Sequence, residues 1–305
     1  MPKPVGLPDA VSIYEVSPRD GLQNEAATVP TTRKVRLIEA LLASGLKRIE
    51  VTSFVSPSWV PQLADAEQVI RSLDLSQAQF SALCPNLKGL DRALGVGIRE
   101  IAVFMSASDT HNRKNVNAPI EETLATFRVL IPQAVSAGLR VRGYVSTAWG
   151  CPYEGDIESS RSLSFCRELL ELGCYQVSLG DTIGVATPLA VEQMLKAIPS
   201  EISKDLVALH LHDTRGTALA NALIGLQMGV RTFDASVAGL GGCPYAPGAA
   251  GNLATEDLVY MLRGMGIETG IDLQRLWEAG QAAEAIVGRK LPGKVHQAGL
   301  KSLRR

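Results

Sequence analysis

Short runs rich in β-branched residues alternate with longer helical patterns along almost the whole chain. The short runs are typical of buried strands, which we predict at residues 12–16, 48–52, 79–83, 100–105, 140–146, 175–179, 207–212 and 232–238. The intervening segments have the apolar spacing of amphipathic helices, predicted at residues 31–44, 61–73, 87–96, 120–137, 159–172, 188–198, 218–228 and 253–264. Eight strands that each precede a helix predict an α/β fold whose parallel sheet closes into a (β/α)8 TIM barrel.

A doubly wound open sheet is the main alternative for an alternating pattern. Such a sheet would place a glycine-rich, phosphate-binding turn after the first strand. The segment found there, Pro18-Arg19-Asp20-Gly21, is not such a turn. We therefore predict a single domain over residues 1–305, with the barrel at about 10–270 and a further helix at 272–287. The polar, basic tail after Lys290 is expected to be loosely held.

The overall charge excludes two classes of partner. The chain has a formal net charge of −1 and a pI near 6.5, which predicts neither a nucleic acid nor an anionic membrane as a ligand. No apolar run approaches the ~20 residues that span a bilayer.

The five cysteines show no CxxC spacing, which favours free thiols in a reducing compartment. Because the N-terminus also lacks the apolar core of a secretion signal, we expect a cytoplasmic protein.

Polar residues collect at the carboxyl ends of the predicted strands, where a TIM barrel assembles its active site. They are Arg19 and Asp20 after the first strand, Glu50 and Ser53 at the second, Asn86 after the third, Ser146 and Thr147 at the fifth, and Asp181 and Thr182 after the sixth. Single residues such as Asn86 or Thr182 also serve as helix caps or turn formers. Several of them at one end of a barrel indicate a site.

The seventh strand ends in a His-x-His pair. Residues two apart in a strand project to the same face, so His210 and His212 would lie side by side. An isolated pair of this kind is often only hydrogen-bonded structure. Here, however, Asp20 adds a carboxylate and Asn252 an amide oxygen at the same end of the predicted barrel. This mixed set of nitrogen and oxygen ligands suits a divalent cation such as Mg²⁺ or Mn²⁺.

Residues 236–252 form a long run of small residues around one thiol. Glycines such as Gly241 and Gly242 have no side chain to bury, which predicts a loop that turns sharply or lies close to a ligand. Cys243, in the middle of this loop, is suited to donate or accept a proton. A covalent role would require an activating base that the sequence does not place. With a metal to polarise the substrate and Arg19 to stabilise an oxyanion, these residues describe a reaction through an enolate.

Several segments resemble motifs of the 3-hydroxy-3-methylglutaryl-CoA lyases. The likeness extends from the first strand to about Leu276, and its most specific part is the run 236–245 followed by 251–257. The wider superfamily of metal-dependent barrels shares only the Arg-Asp pair and the His-x-His. The segments are EVSPRDGLQNE at 15–25, IEVTSFVSP at 49–57, PNLKG at 85–89, RGYVS at 142–146, SLGDTIG at 178–184, HLHDT at 210–214, SVAGLGGCPY at 236–245 and GNLATED at 251–257.

The resemblance implies cleavage of 3-hydroxy-3-methylglutaryl-CoA to acetyl-CoA and acetoacetate. It implies a metal bound by Asp20, His210, His212 and Asn252, an enolate stabilised by Arg19 and protonated by Cys243, and supporting roles for Glu50 and Asp181. Asp20 or a metal-bound water would deprotonate the substrate hydroxyl. Further substrate-binding or loop positions would be Gln23, Asn86, Ser146, Thr182, Gly241, Gly242 and Glu256. The expected partners are a small acyl-CoA and a second copy of the chain in a homodimer.

Three other functions fit part of the same pattern. A condensing relative would join acetyl-CoA to a 2-oxo acid with a similar metal site, but it would have no counterpart to Cys243 and its loop. A related lyase would act on a shorter or longer 3-hydroxyacyl-CoA. A non-catalytic metal- or CoA-binding barrel would have no need to retain the whole set of polar strand ends.

Overall fold

Eight parallel strands close into a barrel in the computed structural model, which describes residues 6–242 and 251–300. Each strand pairs with its neighbours in chain order, and the first pairs with the last in a register that sets Tyr14 beside Asp234. The predicted TIM barrel is confirmed. The strands are β1 (Ser12–Glu15), β2 (Arg48–Ser53), β3 (Gln79–Leu83), β4 (Glu100–Ser106), β5 (Arg140–Ser146), β6 (Gln176–Asp181), β7 (Val207–Leu211) and β8 (Thr232–Ala235).

Helices surround the barrel and bury their apolar faces against it. In the first helix, for example, Leu41 lies one turn after Leu37 and Ile38, and all three are fully buried. Within the described residues, none of the helices is long and apolar enough to cross a membrane. The helices are α1 (Thr31–Ala43), α2 (Ala66–Arg71), α3 (Leu87–Gly95), α4 (Asp109–Val116), α5 (Ile120–Ser136), α6 (Ser159–Leu172), α7 (Pro188–Lys196), α8 (Ala218–Gln227), α9 (Thr255–Gly264), α10 (Leu273–Val287) and α11 (Lys294–Ala298).

Two predicted elements are shorter than expected by three residues or more. The helix predicted at 61–73 is a 3₁₀ turn, Pro61–Leu63, followed by α2. The carboxylate of Asp65, between the two, is bonded to Lys34 Nζ at 2.6 Å and to the Thr31 hydroxyl at 2.7 Å. The strand predicted at 232–238 stops at Ala235, because the chain then enters the 3₁₀ turn Val237–Gly239 with Ala238 in a left-handed conformation (φ 52°).

The C-terminal segment is firmly packed up to residue 300, so the predicted loose tail is wrong for this part of the chain. Leu291 is fully buried, and His296 in α11 is 4% exposed. The amides of Lys294 and Val295 donate to the Asp257 carboxylate at 2.9 and 2.6 Å. These bonds attach the start of α11 to α9, which is a contact that local composition does not reveal.

A buried ion pair joins two strands of the barrel beneath the site residues. Arg142 on β5 and Asp234 on β8 are fully buried and form two hydrogen bonds, at 2.6 and 3.2 Å. The guanidinium also stacks on the ring of Tyr14, 4.0 Å from its centroid. A buried ion pair that lost one partner would leave an uncompensated charge, so both side chains are held in place. The Asp234 carboxylate is therefore held in one position by Arg142.

Candidate active site

A tight helical turn directly after β1 positions Arg19 and Asp20. The turn spans Ser17–Gly21, and the amides of residues 19–21 all donate to the carbonyl oxygen of Val16, at 2.8 to 3.2 Å. Pro18 suits the start of the turn because a first-turn position has no need of an N–H donor. The turn therefore sets two adjacent, oppositely charged side chains at the carboxyl end of the barrel.

Two carboxylates hold Arg19. Its Nη1 donates to Asp20 Oδ1 at 2.7 Å, and its Nε donates to Glu50 on β2. Glu50 is fully buried and accepts a further bond from the Tyr144 hydroxyl at 3.2 Å. Burial disfavours the charged guanidinium, but Glu50 and Asp20 outweigh this effect and raise the pKa of Arg19 above its ordinary value. Arg19 is therefore a permanent, fixed cation.

Asp20, His210 and His212 form a cluster whose three metal-binding atoms lie within 4.8 Å of one another. The two Nε2 atoms face each other at 3.2 Å, and His210 Nε2 is 4.0 Å from Asp20 Oδ2. Burial raises the pKa of Asp20, but Arg19 and the two histidines outweigh it and set the pKa at about 2. Burial and the neighbouring His210 lower the pKa of His212 to about 4. An ionised carboxylate and a neutral imidazole are the forms that bind metals, so the cluster fits a divalent cation.

Asp234 lies behind His210 and limits its orientation. His210 Nδ1 is 3.4 Å from Asp234 Oδ2, and the Tyr144 ring packs edge-on against the imidazole with centroids 6.3 Å apart. Asp234 is fixed by Arg142 and also accepts a bond from the Ser178 hydroxyl at 2.8 Å. A carboxylate in this position behind a histidine orients the ring for metal binding.

The sequence reasoning missed Tyr144 and Asp234, because it searched the ends of strands and both residues lie inside them. A signal was present, since every position of a strand in a parallel barrel is expected to be buried. A charged residue between Phe233 and Ala235 must therefore have a partner or a function.

Asn252 approaches the cluster from the segment after β8. The amide of Leu253 donates to the carbonyl of Leu211 at 2.9 Å, which ties this segment to the end of β7. Asn252 Nδ2 then donates to Asp20 Oδ2 at 2.8 Å. Gly241 makes room for this amide, because a Cβ at that position would lie 2.7 Å from Asn252 Nδ2 and the backbone has φ +119°. Glycine is thus required here by both space and conformation.

A cavity of about 440 Å³ opens beside the cluster and collects most of the predicted site residues. Two of them also have the structural roles weighed above. Asn86 caps α3 by accepting from the Gly89 amide at 3.0 Å, and Thr182 accepts from the Thr147 amide at 2.8 Å. The predicted residues that line the cavity are Arg19, Asp20, Gln23, Ser53, Asn86, Ser146, Thr182, His210, His212 and Gly242. Apolar side chains also line it, including Val55, Trp59, Val116 and Phe127.

The other predicted residues within 6–242 and 251–300 do not line the cavity. Glu50 lies beneath Arg19, Asn252 lies beside Asp20, and Gly241 lies against Asn252. The Asp181 carboxylate accepts the amides of Val185 and Ala186 at 2.9 and 3.0 Å, and it thereby shapes the loop after β6. Burial raises the pKa of Asp181 to about 6 despite these two amides. Cys243 lies outside the described residues.

Glu256 is a buried structural residue of α9. Its Oε2 accepts from the amide of Ala238 at 2.6 Å and so supports the left-handed turn that leads to the glycine-rich segment. Its Oε1 and His296 Nδ1 lie 2.5 and 2.7 Å from the point where a Cβ on Gly280 would stand, so any larger residue would clash. Burial raises the pKa of Glu256 to about 8, with a smaller contribution from the charge of Glu15. The side chain is therefore protonated at neutral pH.

Glu256→Gln is expected to stabilise the protein progressively as the pH rises from about 5 to about 8. In that window the unfolded glutamate loses its proton and the buried one keeps it, so the wild type loses up to about 1.4 kcal/mol per pH unit and the amide loses none. The measurement is the difference in melting temperature between variant and wild type across the window. Glu121→Gln, at an exposed position of α5, is the control. A difference that stays constant with pH would contradict the protonated state.

The comparisons with known proteins agree with this geometry. The HMGL-like family model matches residues 10–282. A mitochondrial hydroxymethylglutaryl-CoA lyase of Mus musculus is 51% identical over 96% of this chain and 90% of its own length. The chain belongs to the hydroxymethylglutaryl-CoA lyase family.

Solved structures of hydroxymethylglutaryl-CoA lyases have the same fold. The Bacillus subtilis HMG-CoA lyase superposes with a TM-score of 0.94 at 47% identity, covering 96% of this chain and 99% of its own. An HMG-CoA lyase from Acinetobacter baumannii, in complex with coenzyme A and 3-methylmalate, gives a TM-score of 0.90 at 40% identity, with 95% of each chain covered. The family resemblance seen in the motifs is confirmed over nearly the full chain.

Proposed function

We propose that the chain cleaves 3-hydroxy-3-methylglutaryl-CoA to acetyl-CoA and acetoacetate. The observation that carries the proposal is that Arg19 and the Asp20–His210–His212 cluster meet at one cavity, in a chain about half identical to lyases of this name. The reaction removes the proton of the C3 hydroxyl and breaks the C2–C3 bond. The electron pair passes to the enolate of acetyl-CoA, and a proton added at C2 completes the product.

Asp20, His210 and His212 would hold a divalent cation. Asn252 would add its amide oxygen as a fourth ligand by turning its side chain, whose nitrogen otherwise donates to Asp20. Members of this family depend on a divalent metal, and the cluster fits one. When bound, the cation supplies a Lewis acid that polarises substrate oxygens. Nitrogen and oxygen ligands without a thiolate favour Mg²⁺ or Mn²⁺ among the candidates.

Arg19 would stabilise the negative charge that develops as the C2–C3 bond breaks. Its guanidinium is fixed before substrate arrives by Glu50 and Asp20, so little reorganisation accompanies the reaction. Asp20 is ionised at neutral pH and can accept the proton of the substrate hydroxyl. Cys243, in the loop that resembles the family motif, would return a proton to C2.

The apolar walls of the cavity suit the thioester arm of an acyl-CoA. A relative of 40% identity was solved with coenzyme A, and its cavity is expected to correspond to this one. We further propose a homodimer in a reducing compartment such as the cytoplasm. The reducing compartment is supported by the four described cysteines, which are all buried and free.

Removal of the metal is expected to abolish turnover, and Mg²⁺ or Mn²⁺ is expected to restore it. Loss of a Lewis acid worth several kcal/mol corresponds to a decrease on the order of 10² or more in rate. The assay follows acetoacetate formed from the thioester before chelation, after chelation and after each cation is added back. Full activity in metal-free protein would refute the proposal. Acetoacetate absent throughout, with acetyl-CoA consumed in the presence of a 2-oxo acid, would instead identify a condensing enzyme.

His212→Ala tests the cluster directly. It is expected to weaken metal binding, measured by calorimetry, much more than it lowers the melting temperature, because His212 lies at the end of a strand. His296→Asn removes another buried histidine, far along the chain in α11, and is expected to leave metal affinity unchanged.

A further inference from the structure

Three hydrogen-bonded side chains lead from the cavity wall into the protein. Ser146 Oγ lies 2.8 Å from Ser106 Oγ, and Ser106 Oγ lies 2.5 Å from His111 Nδ1. The three residues are 6%, 0% and 2% exposed. Ser146 and His111 line the cavity, whereas Ser106 lies between them beneath its surface. We call these three residues the hydroxyl chain.

The fold fixes the hydroxyl chain at both ends. Ser106 and Ser146 are the last residues of β4 and β5 and lie opposite each other in the sheet. His111 belongs to the first turn of α4, which Ser108 caps by accepting from the His111 amide at 3.1 Å. In the next residue of that helix, the Asn112 side chain accepts from the Ser106 amide at 3.0 Å. These bonds hold the imidazole against the end of β4.

The directions of the two hydrogen bonds in the hydroxyl chain depend on each other. Each hydroxyl has one proton, so Ser146 can donate to a ligand while bonded to Ser106 only if Ser106 donates to it. Ser106 Oγ must then accept a hydrogen bond from the Nδ1–H of His111. Burial lowers the pKa of His111 to about 4, so the ring is neutral and can supply this tautomer. The other acceptor near Ser146, the Met105 carbonyl, is 3.3 Å away, which is long for a hydroxyl bond.

We propose that His111, acting through Ser106, orients the Ser146 hydroxyl to donate a hydrogen bond to an oxygen of the bound acyl group. The carboxylate and the thioester carbonyl of a 3-hydroxyacyl-CoA are both acceptors, so either selects the donor form of Ser146. His111 and Ser106 are then positioning residues, and Ser146 is the one that touches substrate. The inference rests on the proposed lyase function for the identity of the ligand.

The test is a double-mutant cycle that joins Ser106 and Ser146. Ser106→Ala and Ser146→Ala are each expected to lower kcat/KM about 3- to 10-fold, the range of one neutral hydrogen bond, and mostly through KM. The kcat/KM of the double variant is expected to be no lower than that of Ser146→Ala alone. His111→Phe, which keeps a ring without its nitrogens, should behave like Ser106→Ala in both backgrounds. Ser106→Thr keeps the hydroxyl and should restore most of the loss.

Ser162→Ala is the matched control for packing. This serine is also fully buried and donates one hydrogen bond, to the Ala148 carbonyl at 2.8 Å, but it does not line the cavity. It is expected to lower the melting temperature about as much as Ser106→Ala while leaving kcat/KM unchanged. Equal losses from Ser106→Ala with and without Ser146 would overturn the proposal, because the effect would then not pass through Ser146.

The wild-type protein separates this inference from the function on which it rests. Absence of turnover in the wild type would refute the lyase function alone. The same cycle is then read from the dissociation constant of 3-hydroxy-3-methylglutaryl-CoA, measured by calorimetry on metal-loaded protein. Coupling between Ser106 and Ser146 in that constant would support the proposal, and additive losses or no binding by the wild type would overturn it.

Discussion

Arg19→Lys is expected to lower kcat on the order of 10²- to 10³-fold with little change in KM. The lysine keeps the charge but has no planar fork, so it cannot bond Glu50 through Nε while bonding Asp20 through Nη1. Charge that exists mainly in the transition state then loses a fixed donor, and such a loss falls on kcat. Steady-state kinetics with saturating metal measure the split between the two constants.

Arg128→Lys is the control for Arg19, because Arg128 forms an exposed ion pair with Glu168 on the outside of the barrel. Its turnover is expected to stay within about twofold of the wild type, as exposed pairs contribute little. A normal kcat with a raised KM in Arg19→Lys would show that Arg19 holds substrate and does not stabilise the enolate.

Cys243→Ser is expected to lower kcat roughly 10²- to 10⁴-fold, the range of a general acid or base, while metal and substrate binding persist. A hydroxyl is too weak an acid at neutral pH to replace a thiol, so Cys243→Ala should be about as slow. Kinetics and calorimetry on the same preparations separate turnover from binding. Near-normal turnover of Cys243→Ser would contradict the proton-transfer role of Cys243. That role is the feature that distinguishes the lyase from its condensing relatives.

Thiol alkylation provides an independent measurement on the same residue. Burial raises the pKa of Cys84 and Cys166 to about 12, so these thiols supply little of the reactive thiolate at neutral pH. Inactivation by iodoacetamide is therefore expected to follow labelling of Cys243 and to be slowed by substrate. The Cys243→Ser variant retains the four buried thiols and serves as the labelling control.

The barrel and much of its site could be predicted because both depend on local periodicity. Alternation along a strand sets His210 and His212 side by side, and strand ends meet at one face of a TIM barrel. Asp20 and Arg19 join them because β1 closes against β8 beside β7. None of these steps needs a contact that is not implied by the fold.

Features that depend on contacts distant in the chain were not predictable in the same way. Helix α4 is polar and short, with no apolar stripe, and it was missed although it contributes His111 to the cavity. The family resemblance placed Glu256 among the substrate-binding or loop positions. Its burial beneath Ala238 depends on α9 and α10 packing together around Gly280, a steric fit that the residues near it do not reveal.

The cluster also has a consequence for the order in which this protein can mature. Asp20 follows β1 and is synthesised first, His210 and His212 come only with β7, and Asn252 comes after β8. A cation bound as proposed would meet all four ligands on a nascent chain only after Asn252 has followed the final strand and the barrel has closed. Once bound, the ion would join side chains on either side of the contact between β1 and β8, where the barrel closes. A shortage of that metal would then lower the stability of the protein as well as its activity. The ion would bind only the closed barrel and would therefore shift the folding equilibrium toward it by mass action.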